Sequence, residues 1–153
     1  LIGSLNARGW SEIRITWIPI LLSLIIGLFL YKQLNLLSLG EDLSTSLGNS
    51  LLKSRCLIGA VATLLSASAV SIGGLIGFIG LVVPHFSRLL IGNDYKYVLP
   101  FSALTGALTL STADLLARSG TIEIPVGIVT SLLGAPVFII ILYKRSSRKI
   151  GMN

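Results

Sequence analysis

The sequence predicts an all-α membrane protein, a polytopic helix bundle of about five transmembrane helices with one short polar loop on its cytoplasmic side. Apolar residues make up 53% of the 153 residues and charged residues only 12%, whereas a soluble domain has about 25% charged residues. Long apolar runs recur along the chain, and the 12 Lys and Arg residues fall in short segments between those runs. Basic residues placed in this way indicate membrane topology and not nucleic-acid binding.

Five apolar runs account for the predicted transmembrane helices, since about 17 to 25 residues cross the hydrocarbon core of a bilayer. The runs lie near residues 15–31, 57–72, 76–90, 99–117 and 126–143. The third run is short and carries Pro84 near its end, so we expect it to be partly embedded or bent. Because the connections are short and no soluble domain appears, residues 1–153 are expected to form one membrane unit.

The basic residues also predict the orientation of the bundle. If the segment from Lys32 to Arg55 faces the cytoplasm, that side collects nine Lys and Arg residues and the other side three. The cytoplasmic set is Lys32, Lys53, Arg55, Arg88, Lys96, Lys144, Arg145, Arg148 and Lys149, and the outer set is Arg8, Arg14 and Arg118. This excess follows the positive-inside rule and predicts a cytoplasmic C-terminus.

The content of small residues predicts which helices are central. Between Leu57 and Gly74, 11 of 18 residues are Gly, Ala, Ser or Thr, and between Leu99 and Ala117 the count is 10 of 19. Small side chains let helix backbones approach closely in a membrane. We therefore expect the second and fourth runs to be central and the first run, which has few such residues, to be peripheral.

Residue combinations needed for catalysis or metal binding do not occur in this sequence. It has one histidine and one cysteine, no Walker-type Gly-rich loop with Lys, and no Gly-x-Ser-x-Gly motif. Cys56 is expected to be a small apolar residue at the start of a helix. We predict that the chain is not an enzyme and carries no cofactor or metal, so that any ATP binds to another chain.

The polar segment from Leu34 to Arg55 carries the most informative pattern. Gly40 and Gly48 bracket a stretch from Glu41 to Leu47 that begins with two acidic residues, as a helix N-terminus prefers. This pattern predicts a pair of short helices joined near one of the two glycines. The residues alone leave two functions open: a helix resting on lipid headgroups, or a surface that docks onto a partner subunit.

Two further polar groups lie near predicted helix ends. His85 and Arg88 share a helix face, where we expect structural hydrogen bonds or anchoring at the membrane interface. Asp114 and Arg118 are spaced i, i+4 and can pair at the outer side, and Glu123 follows in the outer loop. This pair is either a local stabilising interaction or a contact for an extracytoplasmic partner.

Three long segments, LNLLSLGEDLSTSLG, GLIGFIGLVVPHFSRLLIGNDYKYVLPFSALTGALTLSTADLLAR and EIPVGIVTSLLGAPVFIIIL, resemble the FecCD-type permeases, the membrane subunits of ABC importers for iron siderophores, haem and vitamin B12. The resemblance covers nearly the whole chain, with the motifs in the right order and spacing. Tyr95, Lys96 and Tyr97 depart from the His-Arg pair that is commoner in the family after Gly-x-Asp.

The resemblance implies a subunit of about ten transmembrane helices in the bacterial cytoplasmic membrane, of which this chain would be the C-terminal half. It implies three partners: a second permease subunit, cytoplasmic ATPase subunits that bind the ATP, and an extracytoplasmic solute-binding protein. The residues that match the family's ATPase-coupling helices are Leu39, Gly40, Glu41, Leu47 and Gly48. The residues that match its outer contact for the binding protein are Arg118 and Asp114.

A second class of function, half of an ion-coupled secondary transporter or channel, requires ionisable residues near mid-membrane or helices broken there. Charge is absent from the middle of all five predicted spans. The sequence therefore favours an importer permease, with ferric siderophores as the leading cargo and haem or cobalamin left open.

Overall fold

The computed structural model describes residues 10–46, 48, 50–119 and 125–150. These residues form helices α1 (Trp10–Phe29), α2 (Tyr31–Ser38), α3 (Glu41–Ser46), α4 (Leu51–Gly73), α5 (Ile79–Ile91), α6 (Tyr95–Arg118) and α7 (Val126–Ile150). The predicted all-α class is confirmed. Long apolar segments adopt helices because a helix pairs its own backbone N–H and C=O groups, which lipid cannot do.

The lengths of these helices fit a membrane protein. Among the described residues, α4 and α6 are each long and apolar enough to cross a bilayer, and α1 with α2 forms a third candidate that is bent by 51° between the two helices. Helix α5 and residues 126–139 of α7 are shorter apolar helices. The five predicted runs correspond to α1, α4, α5, α6 and α7, and α4 begins at Leu51, earlier than the run near 57–72 suggested.

Contacts between named residues show that neighbouring long helices run antiparallel. Trp17 near the start of α1 lines a groove with Ile72 near the end of α4. Arg88 near the end of α5 contacts Tyr95 at the start of α6. Asn35 of α2 bonds to Asp94 in the turn between α5 and α6. The α2–α3 segment and this turn therefore share one end of the bundle, here called the loop end, and the α4–α5 connection and Arg118 lie at the opposite, far end.

The expected central position is confirmed for α6, whereas the described helices cover only one side of α4. Helix α6 packs against α1, α2, α5 and α7, whereas the described part of α4 packs only against α1, α2 and α3. Gly59 of α4 has open space where a Cβ would lie. Small side chains permit a close approach but need a partner, and the small-residue surface of α4 faces away from the described helices. The supposedly peripheral α1 packs along α4, where Gly27 faces Val61.

The connection between α4 and α5 is the main irregularity of the bundle. Helix α5 runs through Pro84 without ending, and the bend expected at that proline stays a prediction. The chain instead leaves helical geometry between Gly74 and Phe78, which have φ angles of 69° and 66°. Phe78 packs on Gly134 of α7 and meets the Phe138 ring edge-on at 6.3 Å between centroids.

Candidate functional site

The loop end carries the predicted pair of short helices. Helix α2 ends at Ser38, Gly40 follows with a φ of 101°, and α3 occupies the six residues Glu41–Ser46. Gly48 also has a positive φ, 78°, which costs glycine little and other residues more. Leu47, which the sequence placed in the same short helix, lies outside the described residues.

Internal bonds hold α3 close to the start of α4. The Arg55 guanidinium of α4 donates to the Glu41 carboxylate of α3. The Thr45 hydroxyl donates to the Glu41 carbonyl at 2.9 Å, and the Ser46 hydroxyl donates to the Asp42 carbonyl at 2.8 Å. Ser44 is fully buried. The segment between α2 and α4 is therefore a folded unit, with its polar side chains largely used internally.

Three leucines of this unit point outward. Leu39 is 54% exposed, Leu43 of α3 is 58% exposed, and Leu52 in the first turn of α4 is 76% exposed. Leu43 lies within a helix of six residues, too short to cross a membrane, and Leu39 and Leu52 flank that helix in sequence. Exposed apolar side chains on such a segment are typical of a surface that another molecule covers. We call Leu39, Leu43 and Leu52 the leucine patch.

A network of hydrogen bonds that the sequence did not predict joins α2 to the start of α6. The Asn35 amide donates from Nδ2 to Oδ1 of Asp94 at 2.8 Å, and its Oδ1 accepts from the Tyr95 backbone N–H at 3.0 Å. Asp94 caps α6 by accepting from the Lys96 backbone N–H at 2.9 Å. The only sequence signal was Asp94 itself, since Asp before a helical run is typical of an N-cap.

The same network reaches the end of α5. Arg88 donates to the Tyr95 hydroxyl at 3.0 Å and lies 5.3 Å from the centre of the Tyr95 ring. The Asn35 amide and, to a lesser degree, the Lys96 backbone N–H hold the pKa of Asp94 below its ordinary value. Asp94 therefore stays ionised at neutral pH and keeps both donors bound.

The far end carries the predicted ion pair. Nε of Arg118 lies 3.0 Å from Oδ2 of Asp114, one turn earlier on α6. The Arg118 side chain is 50% exposed and that of Asp114 is 23% exposed, so the carboxylate is largely covered while the guanidinium still faces outward. Glu123, the other acidic residue expected at this end, lies outside the described residues.

A cavity of about 200 Å³ lies between α5, α6 and α7, near the far end. Its walls are mostly apolar, with Thr109, Thr112 and Thr130 among them. Each of these hydroxyls donates to a backbone carbonyl of its own helix. The cavity thus presents little free hydrogen-bonding capacity to a ligand.

Two other residues singled out in the sequence have no special surroundings. His85 is half-buried on α5. Cys56 lies near the start of α4 with its side chain exposed. Neither belongs to a cluster of potential metal ligands within the described part of the chain.

These features define a polytopic α-helical membrane protein. Its long apolar helices carry a folded loop with outward leucines at one end and an outward arginine at the other. The model of the FecCD transport family matches residues 1–144, and the chain belongs to that family.

Known proteins similar to this chain include the hemin transport system permease HmuU of Yersinia pestis, 41% identical over 98% of the chain and 46% of the relative. The ABC transporter permease YvrB of Bacillus subtilis is 46% identical over 95% of the chain and 42% of its own length. A solved structure of a metal-chelate type ABC transporter in an inward-facing conformation is also similar, with a TM-score of 0.87 and 39% sequence identity. The match covers 93% of this chain and 46% of the transporter chain. The chain therefore spans a little under half the length of the proteins it matches.

Proposed function

We propose that this chain is the C-terminal half of the permease subunit of an ABC importer. In this proposal the whole permease moves a ferric siderophore, haem or cobalamin across the cytoplasmic membrane, with ferric siderophores as the leading candidate. The names of relatives support this range, since they include permeases for hemin, for siderophores and for cobalamin. A second permease subunit completes the pathway, and ATP binds to separate ATPase subunits.

The loop end is assigned to the cytoplasm. Basic residues of the described helices are more numerous at the loop end than at the far end. The loop end has Lys32, Lys53, Arg55, Arg88 and Lys96, and the far end has Arg14 and Arg118. Tyrosines accompany these basic residues, since Lys32 lies 6.0 Å from the centre of the Tyr31 ring and Lys96 lies 5.6 Å from that of Tyr97. Lys and Arg mark the cytoplasmic side, and Tyr is enriched at the headgroup level.

The leucine patch is the observation that carries the proposal. Helix α3 has six residues, lies between two glycines with positive φ and is held by the Glu41–Arg55 ion pair. Its outward Leu43 supports docking into a cleft of another protein. A helix that only rested on lipid headgroups would not need the backbone conformation to be fixed at both of its ends. Leu39, Gly40, Glu41, Leu47 and Gly48 are proposed as the segment that couples to the ATPase.

At the opposite face, Arg118 is proposed to meet an acidic residue of the extracytoplasmic binding protein. Asp114 holds the guanidinium from one side and leaves half of the Arg118 side chain exposed. A partly exposed ion pair contributes about 0 to 1 kcal/mol to stability. The greater value of Arg118 is expected in orienting the approaching partner.

A secondary transporter remains the alternative class, and uptake energetics separate the two. The complete permease and its ATPase are reconstituted in liposomes with the binding protein, and uptake of labelled ferric siderophore, hemin and cobalamin is measured. The proposal expects uptake of one of these that depends on ATP and continues when ion gradients are dissipated. Uptake that follows an imposed ion gradient without ATP would contradict it.

A further inference from the structure

We infer that Asn35 is a positioning residue that transmits movement of the ATPase-docking loop to α6, through its paired hydrogen bonds to Asp94 and the Tyr95 backbone. This inference rests on the proposed function, because it assumes that the ATPase docks at the leucine patch. The inferred route runs from the loop through Asn35 to α6, and along α6 to the far end of the bundle.

The geometry of the link suits that role. Asn35 lies on α2, directly before the loop, and its two bonds span 59 and 60 residues of sequence to reach the first turn of α6. The Asn35 amide donates to Asp94 at 2.8 Å and accepts from the Tyr95 N–H at 3.0 Å, so both of its polar groups bind the same turn of α6. A two-point attachment resists rotation as well as separation, so α2 cannot shift or turn without either moving α6 or breaking these bonds.

Helix α6 can carry such a displacement across the bundle. Its 24 residues give a rod about 36 Å long, which ends at Arg118 and Ser119. It packs against α5 and α7 along the way. Arg88 of α5 is attached to the same turn through the Tyr95 hydroxyl, so α5 and α6 would move together.

A local role, in which Asn35 only stabilises the α6 N-terminus, is the competing explanation. Asp94 caps α6 through the Lys96 N–H, and Asn35 satisfies the neighbouring Tyr95 N–H. The two explanations differ in what is lost when Asn35 is changed: stability and assembly in one case, and the response of the far end to nucleotide in the other.

An exchange of the two side chains gives a sharp test. In Asn35→Asp, two carboxylates face each other at the former 2.8 Å contact and repel. In the double variant, Asn35→Asp with Asp94→Asn, the amide now at position 94 donates to the carboxylate now at position 35. That carboxylate still accepts the Tyr95 N–H. In the unaltered protein a single atom, Oδ1 of Asp94, accepts from both Asn35 and the Lys96 N–H, so the reversed donor at position 94 restores the link between α2 and α6 while giving up the Lys96 cap. Asp94→Asn alone also keeps each bond and serves as the matched control.

The readout is a fluorophore on Ser119→Cys, in a Cys56→Ser background without other reactive cysteines. The complete permease is purified with its ATPase, and the fluorescence change on adding ATP is measured beside the amount of ATPase that co-purifies. We expect Asn35→Asp to reduce the change about fivefold or more while the ATPase still co-purifies. The double variant and Asp94→Asn should respond like the unaltered complex.

A full response in Asn35→Asp, or a double variant as impaired as Asn35→Asp, would overturn the inference and leave the proposed function intact. If Asn35→Asp fails to assemble, Asn35→Ala removes both bonds without adding charge, and the same criteria decide. Absence of any ATP response and of ATPase co-purification in the unaltered complex would instead contradict the proposed function itself.

Discussion

Phe78 lies directly against the backbone of Gly134, across the junction between α5 and α7. A Cβ added to Gly134 would overlap the Cβ of Phe78 and lie 3.1 Å from its Cγ. Phe78 cannot easily withdraw, because it holds a positive φ of 66° at the break before α5. The absence of a side chain at Gly134 is therefore what allows α5 and α7 to meet.

Gly134→Ala is expected to destabilise the permease despite the better helix propensity of alanine. Overpacking of a close contact costs about 1 to 3 kcal/mol. The overlap with the Cβ of Phe78 should place the cost in the upper part of that range, above the gain of about 1 kcal/mol for replacing a helical glycine. The measurement is the thermal unfolding midpoint of the purified permease in detergent. Gly106→Ala is the matched control, since its Cβ would meet Val83 at an ordinary 3.8 Å. Equal midpoints for the two variants would show that Phe78 adapts.

Orientation can be tested with single cysteines in a Cys56→Ser background. Ser46 at the end of α3 and Ser119 after α6 are both exposed and lie at opposite ends of the bundle. In intact cells, a membrane-impermeant maleimide should label Ser119→Cys and leave Ser46→Cys unlabelled. In inside-out vesicles the pattern should reverse. Labelling of both positions from the same side would exclude the proposed topology.

Arg118→Glu is expected to weaken association with the binding protein and to leave folding nearly unchanged. The reversed charge repels Asp114 as well as an acidic partner, and an exposed pair of this kind carries only about 0 to 1 kcal/mol of stability. Surface plasmon resonance at low and high salt measures the effect, which should be larger at low salt. Arg118→Lys is the control that keeps the charge. Unchanged association of Arg118→Glu at low salt would leave the pair with a purely local role.

The Asn35 link predicts an unusual dependence on pH. With Asp94 held below its ordinary pKa by Asn35 and Lys96, the unaltered bonds should persist above about pH 4 and weaken only as pH falls below that. In Asn35→Asp, two facing carboxylates share a proton and one of their pKa values rises. The ATP response of Asn35→Asp relative to the double variant should therefore recover as pH falls through that raised pKa. A constant ratio would argue against carboxylate repulsion as the cause.

Other charged groups close to this pair do not reverse that expectation. Lys96 favours the ionised form of Asp94 through its charge, and Arg88 reaches the same turn through the Tyr95 hydroxyl. Both cations are present in Asn35→Asp and in the double variant. They face two carboxylates in Asn35→Asp and one in the double variant, so they favour the ionised pair and lower the pH at which the recovery occurs.

The sequence predicted the helical class, the approximate apolar runs and the short helices around Gly40, because these depend on composition and on local signals. It also predicted a central position for α4 from its many small residues, but not which helices would pack there. Small side chains permit a close approach without specifying the partner, and the described helices leave that side of α4 uncovered.

The Asn35 network lay beyond sequence reasoning for a different reason. A hydrogen bond between residues 59 positions apart has no periodic or compositional signature, and one asparagine in an amphipathic helix suggests only a solvated face. The break before α5 also lay beyond sequence reasoning. Pro84 drew attention to the end of the third run, whereas α5 continues through that proline and the chain leaves helical geometry at Gly74 and Phe78.

Leu43→Glu tests whether the loop end docks an ATPase through the leucine patch. Leu43 projects from α3 with 58% of its surface exposed, so a glutamate there should leave the bundle folded and place an unpaired charge in the proposed interface. Leu43→Met keeps the apolar surface and is the control. The measurement is the Kd of the ATPase for the complete permease in nanodiscs. We predict that Leu43→Glu weakens binding by at least about 30-fold, or about 2 kcal/mol as for an interface hot spot, while Leu43→Met binds like the unaltered protein. An unchanged Kd for Leu43→Glu would contradict the claim.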